Sequence, residues 1–133
     1  MRDELLKAGR WAIEQARSQG VEAEAYLLHS EDLTIEVRDG QVDTLKQAEE
    51  IGIGLRVFRG NRMGFSFTTA LNQAAIREVI ERALAGARYT AEDENNGLPG
   101  AADGYPEIAT YDEDIEKTDV ETKVEMARQV EAE

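Results

Sequence analysis

Apolar residues recur along this chain with two different periods, and the switch between them divides it into elements. From residue 3 to 19, Leu5, Ala8, Ala12, Ile13 and Ala16 fall at helical spacing and form one stripe. Ser18-Gln19-Gly20 supplies the stop, with Gly20 as a C-terminal cap. The period then shortens to two. Ala23, Ala25 and Leu27 alternate with Glu22, Glu24 and Tyr26, and Leu33, Ile35 and Val37 alternate with Thr34, Glu36 and Arg38. These runs predict strands over 22–30 and 33–38. Asp39-Gly40 predicts a type I′ hairpin turn, because both residues accept positive φ, and it sets Val37 opposite Val42. A polar strand over 41–48 follows, then strands over 51–58 and 62–69.

The last two strands pose a question of register. Ile53, Leu55 and Val57 alternate with Gly52, Gly54 and Arg56, while Met63, Phe65 and Phe67 alternate with Gly64, Ser66 and Thr68. A two-residue loop at Gly60-Asn61 places Val57 against Gly64 and mixes the faces. A three-residue loop over 59–61, with Asn61 left-handed, places Val57 by Met63, Leu55 by Phe65 and Ile53 by Phe67. Burial favours the second, since a one-residue slip exposes one strand's apolar set. In that register Arg56 faces Gly64, Gly54 faces Ser66 and Gly52 faces Thr68. The six residues then form a flat patch of small side chains with one cationic fork. Glycine inside strands marks a close approach by another backbone, so Gly52, Gly54, Arg56, Gly64, Ser66 and Thr68 are candidate docking or substrate-handling residues. The competing reading is a bulge or sharp twist, with Arg56 reaching solvent.

Helical spacing returns at about 72–88, where Ala75, Ile76, Val79, Ile80, Ala83, Leu84 and Ala87 line a broad face and Thr69 or Asn72 is placed to cap. Residues 90–117 hold both prolines and many acids and read as an irregular segment. Thr118 and Glu121 have capping-box spacing, and Val120, Val124, Ala127 and Val130 open a third helix, which the pattern carries past Glu133 as a cut would. The predicted class is α+β: a mainly antiparallel five-stranded sheet with helices on one face, then an acidic irregular segment and a truncated helix. The expected organisation is a domain over 1–90, a linker-like segment over 91–117, and a helix over 118–133 leading to a missing C-terminal region.

Charge sharpens this division. The net charge is −13, yet residues 1–90 carry 14 acidic and 12 basic side chains while residues 91–133 carry 14 and 3. No basic stripe meets a nucleic-acid backbone, so direct nucleic-acid binding is not expected. There is no cysteine, which removes disulfides, thiolate metal sites and cysteine nucleophiles together. No run approaches a membrane span, and MRDELLKAGRW is not a secretory signal; the expected location is cytoplasmic.

Catalytic motifs are missing. The one histidine, His29, precedes Ser30-Glu31-Asp32 and reads as a strand-end residue, with weak metal ligation as the alternative. Gly52-Ile53-Gly54 lacks the third glycine and the helix of a dinucleotide fingerprint. Asp112 to Glu116 lacks the glycine and spacing of an EF-hand loop.

The ordered run "VEAEAYLLHSEDLTIEVRDGQVDTLKQAEEIGIGLRVFRGNRMGFSFTTAL" resembles the N-terminal region of the TldD/PmbA family. The likeness continues through "ALAGARYTAEDENNGLPG", and "ARYTAEDE" with "GYPEIATYD" is more similar to the PmbA (TldE) branch. The resemblance implies peptidase biology, and family members are also described as candidate modulators of DNA gyrase. TldD with its PmbA partner forms a cytoplasmic heterodimeric zinc metalloprotease acting on peptides, microcin precursors among them, and on unfolded polypeptides. Zinc is expected in the family's catalytic subunit, in a later part of the chain. No zinc ligand, catalytic residue or other cofactor is therefore carried onto residues 1–133. The implied role is a non-catalytic N-terminal domain serving assembly or substrate handling, with a TldD-like or PmbA-like partner subunit. The rival is a standalone module that binds an extended strand on its glycine-rich sheet face.

Overall fold

The structure, a computed structural model, describes residues 1–133. In chain order it has α1 (Arg2–Arg17), β1 (Glu22–Arg38), β2 (Gln41–Arg59), β3 (Arg62–Thr68), α2 (Gln73–Tyr89), α3 (Glu113–Lys117) and α4 (Val120–Ala132). The class is α+β, with one three-stranded sheet in the order β1-β2-β3. Five strands were expected. The two runs on each side of Asp39-Gly40 are continuous instead, because neither Glu31-Asp32 nor Glu49-Glu50 breaks the backbone. What does change near Glu49-Glu50 is the buried side of β2. Thr44 and Ala48 are half-buried at even positions, whereas Ile53, Leu55 and Val57 are buried at odd ones.

The chain forms two compact units, one of residues 1–30 and 50–100, the other of 31–49 and 101–133. The first holds the main core. Ala12 and Ala16 of α1, Ala23 of β1, Ile53, Leu55 and Val57 of β2, and Ile76, Val79, Ile80, Ala83 and Ala87 of α2 pack together. Fully burying a side chain such as Ile76 or Val79 is worth about 1.5–3 kcal/mol. Small residues bring α1 onto β1: a Cβ at Gly9 would stand 2.9 Å from Leu27 Cδ2. Gly20 takes φ +76°, turning the chain after the Ser18 cap of α1. Asn72 caps α2 by accepting from Ala75 N at 3.0 Å.

The second unit is built on the far end of the β1–β2 hairpin and on α3 and α4. Asp39 (φ 52°) and Gly40 (φ 73°) are both left-handed, as a type I′ turn requires. Glu131 of α4 accepts from Asp39 N at 2.7 Å and Gly40 N at 2.8 Å, and Arg128 Nε donates to Gly40 O at 3.0 Å. The cap of α4 is Asp119, whose carboxylate accepts from Thr122 N at 2.8 Å. The Thr118–Glu121 box does not form, because Thr118 ends α3 and donates its hydroxyl to Asp114 O.

Candidate functional site

The glycine-rich strands β2 and β3 turn on Gly60-Asn61, a two-residue loop with Gly60 left-handed at φ 59° and Arg59 paired with Arg62. Glycine at the first central position is the signature of a type II′ turn. The three-residue loop and its register are thereby corrected. Val57 faces Gly64, Leu55 faces Ser66, Arg56 faces Phe65 and Gly54 faces Phe67.

The reason lies in α2. A Cβ at Gly64 would stand 1.8 Å from Ala83 O and 2.5 Å from Ala87 N. The helix backbone rests directly on the strand there, and Gly86 meets Gly64 from the other side, where its own Cβ would lie 3.4 Å from Gly64 Cα. A large side chain on the inner face of β3 would lift the helix off. The small residues Gly64, Ser66 and Thr68 therefore face α2, and the aromatic set faces outward. The six residues grouped by the sequence divide between two faces: Gly64, Ser66 and Thr68 against the helix, Gly54 and Arg56 on the open face with Phe65 and Phe67. Gly52 follows Gly54 by strand alternation onto the open face.

On that open face Phe65 is 57% and Phe67 66% exposed, and their rings stack at 6.3 Å between centroids and 26° between planes. Phe65 lies over Gly54, where an added Cβ would meet the ring at 3.2 Å. Arg56 pairs with Glu24 and places its guanidinium 5.3 Å from the Phe58 ring centroid. Its Nε is enclosed and has no hydrogen-bond partner. Both charged side chains are partly exposed, so the pair serves to neutralise this face more than to stabilise the fold. Tyr26 is 71% exposed.

Residues 90–96 are irregular but tied to the same hairpin. Thr90 Oγ1 donates to Met63 O at 2.8 Å, Asp93 N to Asn61 O at 3.0 Å, and Asn96 Nδ2 to Asn61 O at 3.1 Å. Arg62 pairs with Glu92 at 3.3 Å and donates to Thr90 O. Polar side chains of this irregular stretch thus do local structural work, which composition alone does not reveal.

Other candidates are spent or exposed. Asp112 caps α3 by accepting from Asp114 N at 3.0 Å, and Glu113 pairs with Lys117. Nearby, a hydrogen bond to Glu116, with surrounding carboxylates, pushes the Tyr111 hydroxyl up to about 12. Thr122 holds the Asp119 carboxyl below its usual range by donating backbone and side-chain hydrogen bonds. His29 is exposed on β1. A groove of about 580 Å³ along α1 and α2 is lined by Gln15, Gln19, Arg77, Glu81 and Arg88 among others. A second, of about 570 Å³, is lined by Lys7, Trp11, Leu71 and Ile76, with the Arg77 guanidinium 5.8 Å over the Trp11 ring.

Residues 23–87 match the family model described as PmbA/TldA metallopeptidase domain 1. A Haemophilus influenzae protein named "Metalloprotease PmbA homolog" is 30% identical over 131 residues, covering 96% of this chain and 29% of its own length. A Bacteroides thetaiotaomicron structure, a candidate modulator of DNA gyrase, superposes with TM-score 0.83 at 29% identity, covering 96% of this chain and 30% of its own. TldE from Thermococcus kodakarensis shares the fold, with TM-score 0.73 at 17% identity over 89% of this chain and 28% of its own. The chain thus spans under a third of the length of these relatives. With the domain 1 model matched over residues 23–87 and a PmbA homolog 30% identical across 96% of the chain, the chain belongs to the PmbA/TldD family and carries its first domain over those residues.

Proposed function

We propose that this chain is the non-catalytic first domain of a PmbA-type metallopeptidase subunit, serving assembly or substrate handling in peptide maturation or degradation. The observation that carries the reading is the domain 1 match over residues 23–87, joined to 30% identity with a PmbA homolog across 96% of the chain. Hydrolysis, with the zinc expected for it, belongs in this reading to the family's catalytic subunit. The partner is a TldD-like subunit, the substrate a peptide or unfolded polypeptide, and the compartment the cytoplasm. No helix is long and apolar enough to cross a membrane, which accords with such a setting.

The test combines the chain with a TldD-type subunit and follows both association, by analytical ultracentrifugation, and cleavage of an unfolded polypeptide. The expected result is association together with no cleavage by the chain alone in added zinc. Cleavage by the chain alone that is lost on substituting one of its own residues overturns the non-catalytic reading. A second reading, strand binding by a standalone module, draws support from the open aromatic face beside Gly52, Gly54 and Arg56.

A further inference from the structure

Strand β3 is an edge of the sheet, and from Met63 to Thr68 it carries neither charge nor proline. Soluble proteins usually blunt such an edge with charge, proline, a bulge or a cover. Here the pairing with β2 runs without interruption from Arg59–Arg62 to Ile53–Thr68. The register also fixes where the backbone points. In a two-residue hairpin the flanking pair is hydrogen-bonded, and bonded and non-bonded pairs then alternate. Met63, Phe65 and Phe67 fall in the non-bonded pairs, so their N–H and C=O groups turn away from β2. The bond from Thr90 Oγ1 to Met63 O reaches this outer row and occupies its first acceptor. Beyond it, Phe65 O and both polar groups of Phe67 lie along an unpaired edge, on the residues whose exposed rings stack.

We propose that β3 receives an extended polypeptide strand from a partner, hydrogen-bonded along the Phe65–Phe67 edge and laying apolar side chains against those rings. Backbone donors and acceptors at strand spacing select an extended chain, and exposed aromatic rings select apolar residues at alternate positions. Charge selects among such strands. On the open face Glu24 neutralises Arg56, and the exposed Glu22 remains on β1. Residues 1–90, which hold this edge, carry 14 acidic and 12 basic side chains and so admit a neutral or weakly basic strand, while the −13 of the whole chain, most of it in residues 91–133, disfavours a second copy. This gives the strand-binding reading above a specific edge and partner chemistry, and it stands on local geometry whether or not the chain serves a peptidase.

The test titrates the 133-residue chain with a short capped peptide alternating valine and lysine, reading backbone amide shifts by NMR. The expected result is a change centred on Phe65 and Phe67, with binding weakened about tenfold or more when the peptide's bonding-edge amides are N-methylated. Phe67→Thr, at an exposed position, should keep the melting temperature and weaken binding about tenfold. Equal binding by the N-methylated peptide, absence of binding at millimolar peptide, or a change centred away from β3 overturns the proposal. So does a concentration-dependent dimer in which the Phe67 amide is already protected, since a second copy then holds the edge. None of these readouts involves cleavage or a TldD-type subunit, so failure here is separable from failure of the peptidase reading.

Discussion

Replacing Gly64 by alanine adds one methyl group where the structure leaves no room for it. The new Cβ would lie 1.8 Å from Ala83 O, 2.5 Å from Ala87 N and 2.9 Å from Ala83 C. All three are backbone atoms of α2, so no flexible side-chain tip can swing aside. Restoring contact distance requires α2 to withdraw by roughly 1.5 Å, which loosens the packing of Ile76, Val79, Ile80, Ala83 and Ala87. Overpacking of this kind costs about 1–3 kcal/mol and sometimes more. A contact against rigid backbone belongs at the upper end, so about 3 kcal/mol is expected. The entropic gain of alanine over glycine, about 0.5–1 kcal/mol, is too small to reverse the sign. For a chain of this length the melting temperature should fall by about 10 °C. Thermal and urea unfolding followed by circular dichroism measures this. Gly52→Ala is the control, because its added Cβ meets nothing closer than Thr68 O at 3.7 Å. If Gly64→Ala melts within about 2 °C of the parent, direct packing of α2 on β3 does not explain the register.

Three further outcomes test the second unit. Glu131→Ala should raise amide exchange at Asp39 and Gly40 by removing the carboxylate that accepts from both, and unchanged exchange would show those bonds to be unimportant in solution. Asp119 has its folded pKa depressed, so its contribution to α4 is present above the ordinary value of 3.8 and is lost only as pH falls through the lower folded value. The Thr122 amide shift should therefore titrate with a midpoint below 3.8, and a midpoint at or above it refutes the cap. Tyr111 is raised, so its contribution is complete below 10.0 and disappears as pH rises through about 12. Ultraviolet titration of a Glu116→Gln variant should show that hydroxyl ionising earlier than in the parent, and an unmoved curve would exclude Glu116 as the cause.

Turns and caps that act through one or two residues are legible along the chain. Asp39-Gly40 predicts the hairpin, Asn72 caps α2, and the apolar stripe of α1 places that helix to within two residues. The candidate site is legible in its residues but not in its faces. Counting apolar side chains pairs Val57 with Met63, and that count omits a helix backbone resting on Gly64. Likewise Thr118 and Asp119 both suit an N-cap, and the choice depends on where α3 ends.

The sequence by itself determined the α+β class, the hairpin at Asp39-Gly40, both long helices and the family, because periodicity, turn dihedrals and ordered motifs are properties of neighbouring residues. Tertiary structure alone decided that β1 and β2 run unbroken, that residues 90–96 fasten to the β2–β3 turn, and that Phe65 and Phe67 face outward. The physical reason for the last is one close contact. Glycine at position 64 allows α2 to touch β3 backbone to backbone, and the pleat then sends the alternate aromatic side chains to the open face.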